Sequence, residues 1–146
     1  MLLGRAVTAK AVPPMEVTST KALAVGVYEA GEGTLGAVAV VDVPLGAYSA
    51  AALSMVPKGG ADDAARSGKL GDTLVENLRE VLNVGAQLLN VPGQPRLAFR
   101  ALHLPGEAIP EPVAAVLKSP AGRVDVSIDI AGYGGGKLAI LVAGKS

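Results

Sequence analysis

The sequence predicts an α+β fold: an antiparallel β-sheet with two main helices packed on one face. Three observations carry this expectation. Strand-like segments come in two hairpin pairs, one within Leu23–Asp42 and one within Arg123–Ala143. Between the pairs the apolar period changes from two to the helical period of ~3.6, over Leu45–Val56 and Asp72–Asn90. An order of hairpin, two helices, strand and hairpin builds an antiparallel sheet with helices on one side, not alternating βαβ units.

The elements follow in chain order. Val7 to Val12 reads as a short strand, stopped by Pro13 and Pro14. LAVGVYE (Leu23–Glu29) and LGAVAVVD (Leu35–Asp42) are strands joined by the short loop AGEGT. Asp42 then supplies an N-cap and Pro44 fits a first turn, so a helix is expected from Leu45 to Val56, ended by Pro57. Lys58–Gly71 is small, charged and Gly-bearing, and reads as an exposed connection. The second main helix is Asp72–Asn90, and Pro92, Gly93 and Pro95 break the chain after it.

Leu97 to Leu104 alternates around Phe99 as a strand, with His103 in line with Phe99 and Ala101. Gly106–Pro120 is proline-rich, and within it Val113–Lys118 fits a short helix or turn. Arg123–Ile130 alternates cleanly. Val124, Val126, Ile128 and Ile130 are expected inward, and Asp125, Ser127 and Asp129 outward. Gly132 to Gly136 reads as the turn into a last strand, Lys137–Ala143. No whole repeat and no long linker divides the chain, so residues 1–146 are expected to form a single domain.

Composition narrows the function classes. Apolar residues make up 50 % and charged residues 18 %, a globular balance. Lys plus Arg equals Asp plus Glu at 13 each, so no basic surplus supports nucleic-acid binding. One Phe, three Tyr and no Trp leave few stacking platforms for bases. The absence of Cys removes thiolate ligands, disulfides and cysteine nucleophiles, and a single His removes a multi-histidine metal site. MLLGRAVTAK has no long apolar run, so it does not read as a secretory signal. Leu35–Val56 is interrupted by Asp42 and Pro44 and does not read as a membrane span. A cytoplasmic protein without membrane attachment is expected.

Several motifs invite a chemical reading. GYGGGK resembles a phosphate loop, but the pattern GxxxxGK[ST] fails at Ala131 and Leu138, and no helix follows it. It reads as a hairpin turn. His103 has no surrounding triad signature, and G-x-S-x-G is absent. Asp62, Asp63, Asp125 and Asp129 read as solvated surface.

The Asp72–Asn90 helix is the informative segment. At ~100° per residue, Leu74, Leu78, Val81, Leu82, Gly85, Leu88 and Leu89 fall on one side. Thr73, Glu76, Glu80, Asn83, Gln87 and Asn90 fall on the other. That polar side holds no Lys, and Arg79 sits at its margin. Glu76 and Glu80 stand four apart and repel, while Glu80 and Asn83 stand three apart and point the same way. Two readings stay open on these residues alone. The acid–amide pair receives something from outside the chain. Or Thr73-x-x-Glu76 is a capping box and the rest is a solvated helix face.

Glu80-x-x-Asn83, followed by 21 residues and Pro105, resembles the signature of the CheC/CheX/FliY group of chemotaxis phosphatases and flagellar-switch relatives. VGVYEAGEGTLGAVAVVDVP is similar to the hairpin of that family, with Gly36 at its glycine, and AYSAAALSMV to its following helix. Gly85, Ala86 and Leu88 also fit. The likeness runs from about Val7 to Ile130 and implies a divergent, single-motif chain, CheX-like or half of a CheC. Two positions depart from the pattern: Glu76 stands where the family has Asp or Ser, and Leu82 where it has a small residue.

The resemblance implies hydrolysis of the aspartyl phosphate on a CheY-type response-regulator receiver domain. In that reading Asn83 orients the attacking water and Glu80 docks on a lysine of the partner. Glu76 and Gln87, on the same stripe, are the expected partner-binding residues. No cofactor of the chain's own is implied, because the Mg²⁺ of the reaction belongs to the receiver. The alternative is a non-catalytic domain of the same fold that binds a signalling partner or forms a homodimer through its sheet edges.

Overall fold

The computed structural model describes residues 7–14, 16–17, 23–30, 34–54, 58–89 and 97–143, the side chains of residues 7, 54, 58 and 84–89 apart. Among the described residues, six strands form one fully antiparallel sheet. They are β1 (Val7–Ala11), β2 (Leu23–Ala30), β3 (Leu35–Asp42), β4 (Leu97–His103), β5 (Gly122–Ile130) and β6 (Gly134–Val142). Their spatial order is β1-β5-β6-β3-β2-β4, so β3 and β6 lie at the centre and β1 and β4 at the edges. Four helices are described: α1 (Val43–Ser54), α2 (Lys58–Ser67), α3 (Asp72–Leu89) and α4 (Glu111–Lys118). Among the described residues, no helix is long and apolar enough to cross a membrane.

The two main helices, α1 and α3, lie on one face, as expected. Ala24, Tyr28, Ala37, Ala39 and Val41 of the sheet meet Ala47, Ala50 and Ala51 of α1 and Leu74, Leu78 and Leu82 of α3. Helix α1 is buried almost all round because the sheet, α2 and α3 enclose it. Asp42 caps it, taking the Leu45 N–H on Oδ1 at 2.9 Å. Its other oxygen takes the Lys137 N–H at 2.9 Å, so one carboxylate ties the start of α1 to β6.

The structure corrects the sequence reading at several places. Lys58–Ser67 is helix α2, not an exposed connection. Ala61 and Ala64, three apart, are buried against α1, and that packing overrides two glycines. The second face of the sheet is also covered. Val113, Val116 and Leu117 of α4 lie over Val25, Val38, Val40 and Leu141. On β5 the faces are as expected but the exposure is not: Asp125, level with Ala139 on the α4 side, is buried, and Val124, level with Ile140 on the main-helix side, is 60 % exposed. The Asp125 carboxylate is held by a two-pronged pair with Arg123, at 2.7 and 2.8 Å. Gly134–Gly136 belong to β6 instead of the turn, which is confined to residues 131–133.

Strand β4 departs from simple alternation too. Val27 pairs with Ala101 but Tyr28 pairs with Phe99, leaving Arg100 as an extra residue. On the other side, Tyr28 pairs with Ala37 but Glu29 with Leu35, leaving Gly36 extra. A bulge therefore flanks Tyr28 on each neighbouring strand. The Arg100 bulge turns Phe99 toward the main helices beside Leu102, while Ala101 faces the α4 side. His103, opposite Val25, shares the face of Ala101 and not of Phe99. The expected Pro57 stop, the loop at residues 31–33, Asn90 and the Pro92–Gly93–Pro95 break lie outside the described residues.

Candidate functional site

Helix α3 begins with its backbone. The Val75 N–H donates to the Gly71 carbonyl at 2.9 Å, which puts Gly71 at the cap position. Thr73 then lies inside the first turn, and Thr73-x-x-Glu76 is displaced from where a capping box would stand. Capping therefore gives no account of Glu76.

The helix sits over the β2–β4 end of the sheet, against α1. Leu74, Leu78 and Leu82 are buried, and Thr73, Glu76, Arg79, Glu80 and Asn83 are exposed. Glu80 and Asn83 thus share the outward side, one turn apart. The side chain of Gln87 lies outside the described residues. The ion pairs described are Arg66–Asp63, Arg100–Glu29 and Arg123–Asp125, and none involves α3. Among the described residues, Glu76 and Glu80 thus form no ion pair, and Arg79 stands at the margin of their stripe.

One residue of this turn is gripped from below. Tyr28 Oη donates to the Leu82 carbonyl at 2.7 Å, a buried bond. Two residues earlier on the same face of β2, Gly26 leaves the space that the Leu82 side chain fills; a Cβ there would stand 3.0 Å from Leu82 Cδ1. Gly46 of α1 gives similar room to Leu78. The bulk of Leu82, where the motif that this helix resembles has a small residue, is matched by the missing side chain at Gly26. Burial pushes the Tyr28 phenol well above its usual pKa, which keeps it a donor. Phe99 meets its ring edge-on, with centroids 5.8 Å apart. Sequence reasoning passed over Tyr28. Its signal is a lone aromatic in LAVGVYEA, two residues from a glycine.

The other candidates are accounted for without chemistry. Pro105 occupies the second position of a turn in which the Glu107 N–H donates to the Leu104 carbonyl at 3.0 Å. Gly106 follows at φ +85°, the pattern of a type II turn. In the glycine run, Gly136 passes so close to Asp42 that a Cβ would stand 2.2 Å from Oδ1. Asp62 accepts from Tyr48 Oη at 2.6 Å, beside Asp63 and Arg66 in an open hollow of about 470 Å³. That bond, with Asp62's charge and some burial, raises the Tyr48 pKa. Among the described residues, no three His, Cys, Asp or Glu side chains converge as metal ligands would.

No family model and no curated protein matches the chain. Solved structures do. FliY of Thermotoga maritima is similar over 97 % of this chain and 78 % of its own, with a TM-score of 0.52 and 17 % identity. The FliM middle domain of Vibrio alginolyticus aligns over 96 % of this chain and 80 % of its own, with a TM-score of 0.49 and 8 % identity. The chain therefore has a FliY-like fold, the architecture that the resemblance in its sequence implies.

Proposed function

We propose that this chain hydrolyses the aspartyl phosphate of a CheY-type receiver domain, with Glu80 and Asn83 of α3 as its site. One observation carries the reading: an acid and an amide one turn apart are exposed on a helix whose intervening residue, Leu82, is anchored to the sheet. The FliY-like fold adds support at the level of architecture.

The chemistry suits these groups. A carboxamide both accepts from a water and donates to a phosphoryl oxygen, and it brings no charge to an already anionic centre. Asn83 aligns the attacking water with the phosphorus. Glu80 pairs with a cationic side chain of the receiver and holds the two proteins in register. Glu76 and Gln87 extend the docking stripe. Phosphoryl transfer needs little more than positioning and charge neutralisation, so two groups from this chain suffice. The metal that neutralises the phosphoryl charge is the receiver's.

The test is the decay of a purified CheY-type receiver phosphorylated by acetyl phosphate, with and without this protein. Faster decay that depends on Asn83 is the expected result. An unchanged decay with measurable binding sinks the enzymatic reading and leaves a non-catalytic interaction domain, which Glu76 in place of Asp or Ser favours. Sedimentation then tells whether that domain is a homodimer joined through the β1 or β4 edge.

A further inference from the structure

Apolar burial holds α3 on the sheet, but it is non-directional. Leucines at 74, 78 and 82 keep the helix down without defining its position to a fraction of an ångström. Orienting a water against a phosphoryl group demands that finer definition, of about 0.5 Å. A hydrogen bond to the helix backbone supplies it, because its strength falls steeply with distance and angle.

We propose that Tyr28 is the positioning residue of the Glu80–Asn83 site: by holding the Leu82 carbonyl, its hydroxyl sets the height and rotation of the turn that carries both side chains. The inference rests on the functional reading above. Three features make Tyr28 a rigid support. It is 2 % exposed and lies on a strand paired on both sides. Phe99 stands edge-on to its ring. The bulges at Gly36 and Arg100 flank it at one level, and the Arg100 bulge is what turns Phe99 to that side. Bulges often re-aim a side chain next to a functional site, and here two converge on one residue. The Leu82 carbonyl has two lone pairs, so it takes the phenol without giving up its place in the helix ladder.

The experiment compares wild type, Tyr28→Phe and Val116→Ala in the receiver assay, across a receiver titration. Tyr28→Phe deletes one oxygen and keeps the ring. Its maximal rate should fall about ten- to a hundredfold, the scale of a small misplacement. The half-saturating receiver concentration should move less than about twofold, because docking by Glu80 is retained. Val116→Ala lies in the α4 cluster on the other face. It controls for lost stability and should leave the maximal rate unchanged. A Tyr28→Phe protein as fast as wild type overturns the positioning role and spares the phosphatase reading. A higher half-saturating concentration with an unchanged maximal rate also overturns it. A wild type that accelerates nothing overturns both, and the same plate of assays tells these results apart.

Discussion

Leu82 packs its side chain into the space above Gly26, where any side chain on the strand would come within 3.0 Å of it. The strand gives up a side chain so that the helix can keep one. This reciprocity makes a sharp double-mutant prediction. Gly26→Ala should destabilise by about 1–3 kcal/mol through overpacking. Leu82→Ala should cost about 2–5 kcal/mol through the cavity it leaves. Together they should cost clearly less than the sum, since the new methyl enters the vacated space. Urea unfolding of the four proteins measures the coupling, and additive losses would mean the two positions are independent.

Asn83→Ala should separate function from folding. The side chain is exposed, so the expected stability change is within about 0.5 kcal/mol. Acceleration of receiver dephosphorylation should be lost. Leu78→Ala, five residues earlier in the chain and 1 % exposed, should instead cost about 2–5 kcal/mol. Melting curves and the receiver assay on both variants check the contrast.

Asp42 joins two elements with one carboxylate, so Asp42→Ala should cost more than an ordinary cap. Losing the cap on Leu45 accounts for about 1 kcal/mol, and the stranded Lys137 N–H adds a similar amount. Gly136→Ala attacks the same junction sterically, since its Cβ would stand 2.2 Å from Asp42 Oδ1. Both variants should unfold at lower denaturant than wild type, and equal midpoints would remove Asp42 from the folding argument.

The buried Tyr28 phenol predicts an alkaline weakness. Its pKa is raised in the fold by burial, while the unfolded chain ionises near 10. Burial thus favours the protonated form in the native state. The sign follows from linkage: above a pH of about 10 the unfolded state releases a proton that the native state retains, and stability falls as pH rises. Below that pH the contribution is fully present. Denaturation series from neutral to alkaline pH should show wild type losing stability faster than Tyr28→Phe. Parallel curves would show that Tyr28 ionises as freely in the fold as outside it.

Most of the scaffold was legible because its signals are local. Strands β2 and β3 show Val-rich runs around a short loop, α1 carries Asp42 and Pro44 at its start, and α3 has an unbroken apolar stripe. What escaped depends on neighbours. Helix α2 has poor intrinsic propensity, and its Ala61 and Ala64 matter only because an alanine-rich α1 lies alongside. Asp125 and Val124 keep their expected faces but not their expected exposure: Asp125 is buried on the side of the sheet that alternation alone assigned to water, which carries α4 and a core of its own. Phe99 and His103 were placed together by a period of two, which an extra residue between them breaks. The outward Glu80 and Asn83 were visible from periodicity. The grip on Leu82 was not, since it joins residues 54 positions apart.

The paired insertions around β2 also mark where this chain can change length. Removing Arg100 would shorten β4 by its one unpaired residue and restore plain alternation: Phe99 would still stand opposite Tyr28 and Ala101 opposite Val27, each on its present face. Removing Gly36 would likewise leave Leu35 opposite Glu29 and Ala37 opposite Tyr28. At this level of the sheet, losing the extra residue preserves the facing of the strand tip, whereas losing a second one turns it over. Relatives of this chain that lack either extra residue should therefore keep the same side chains facing the interior.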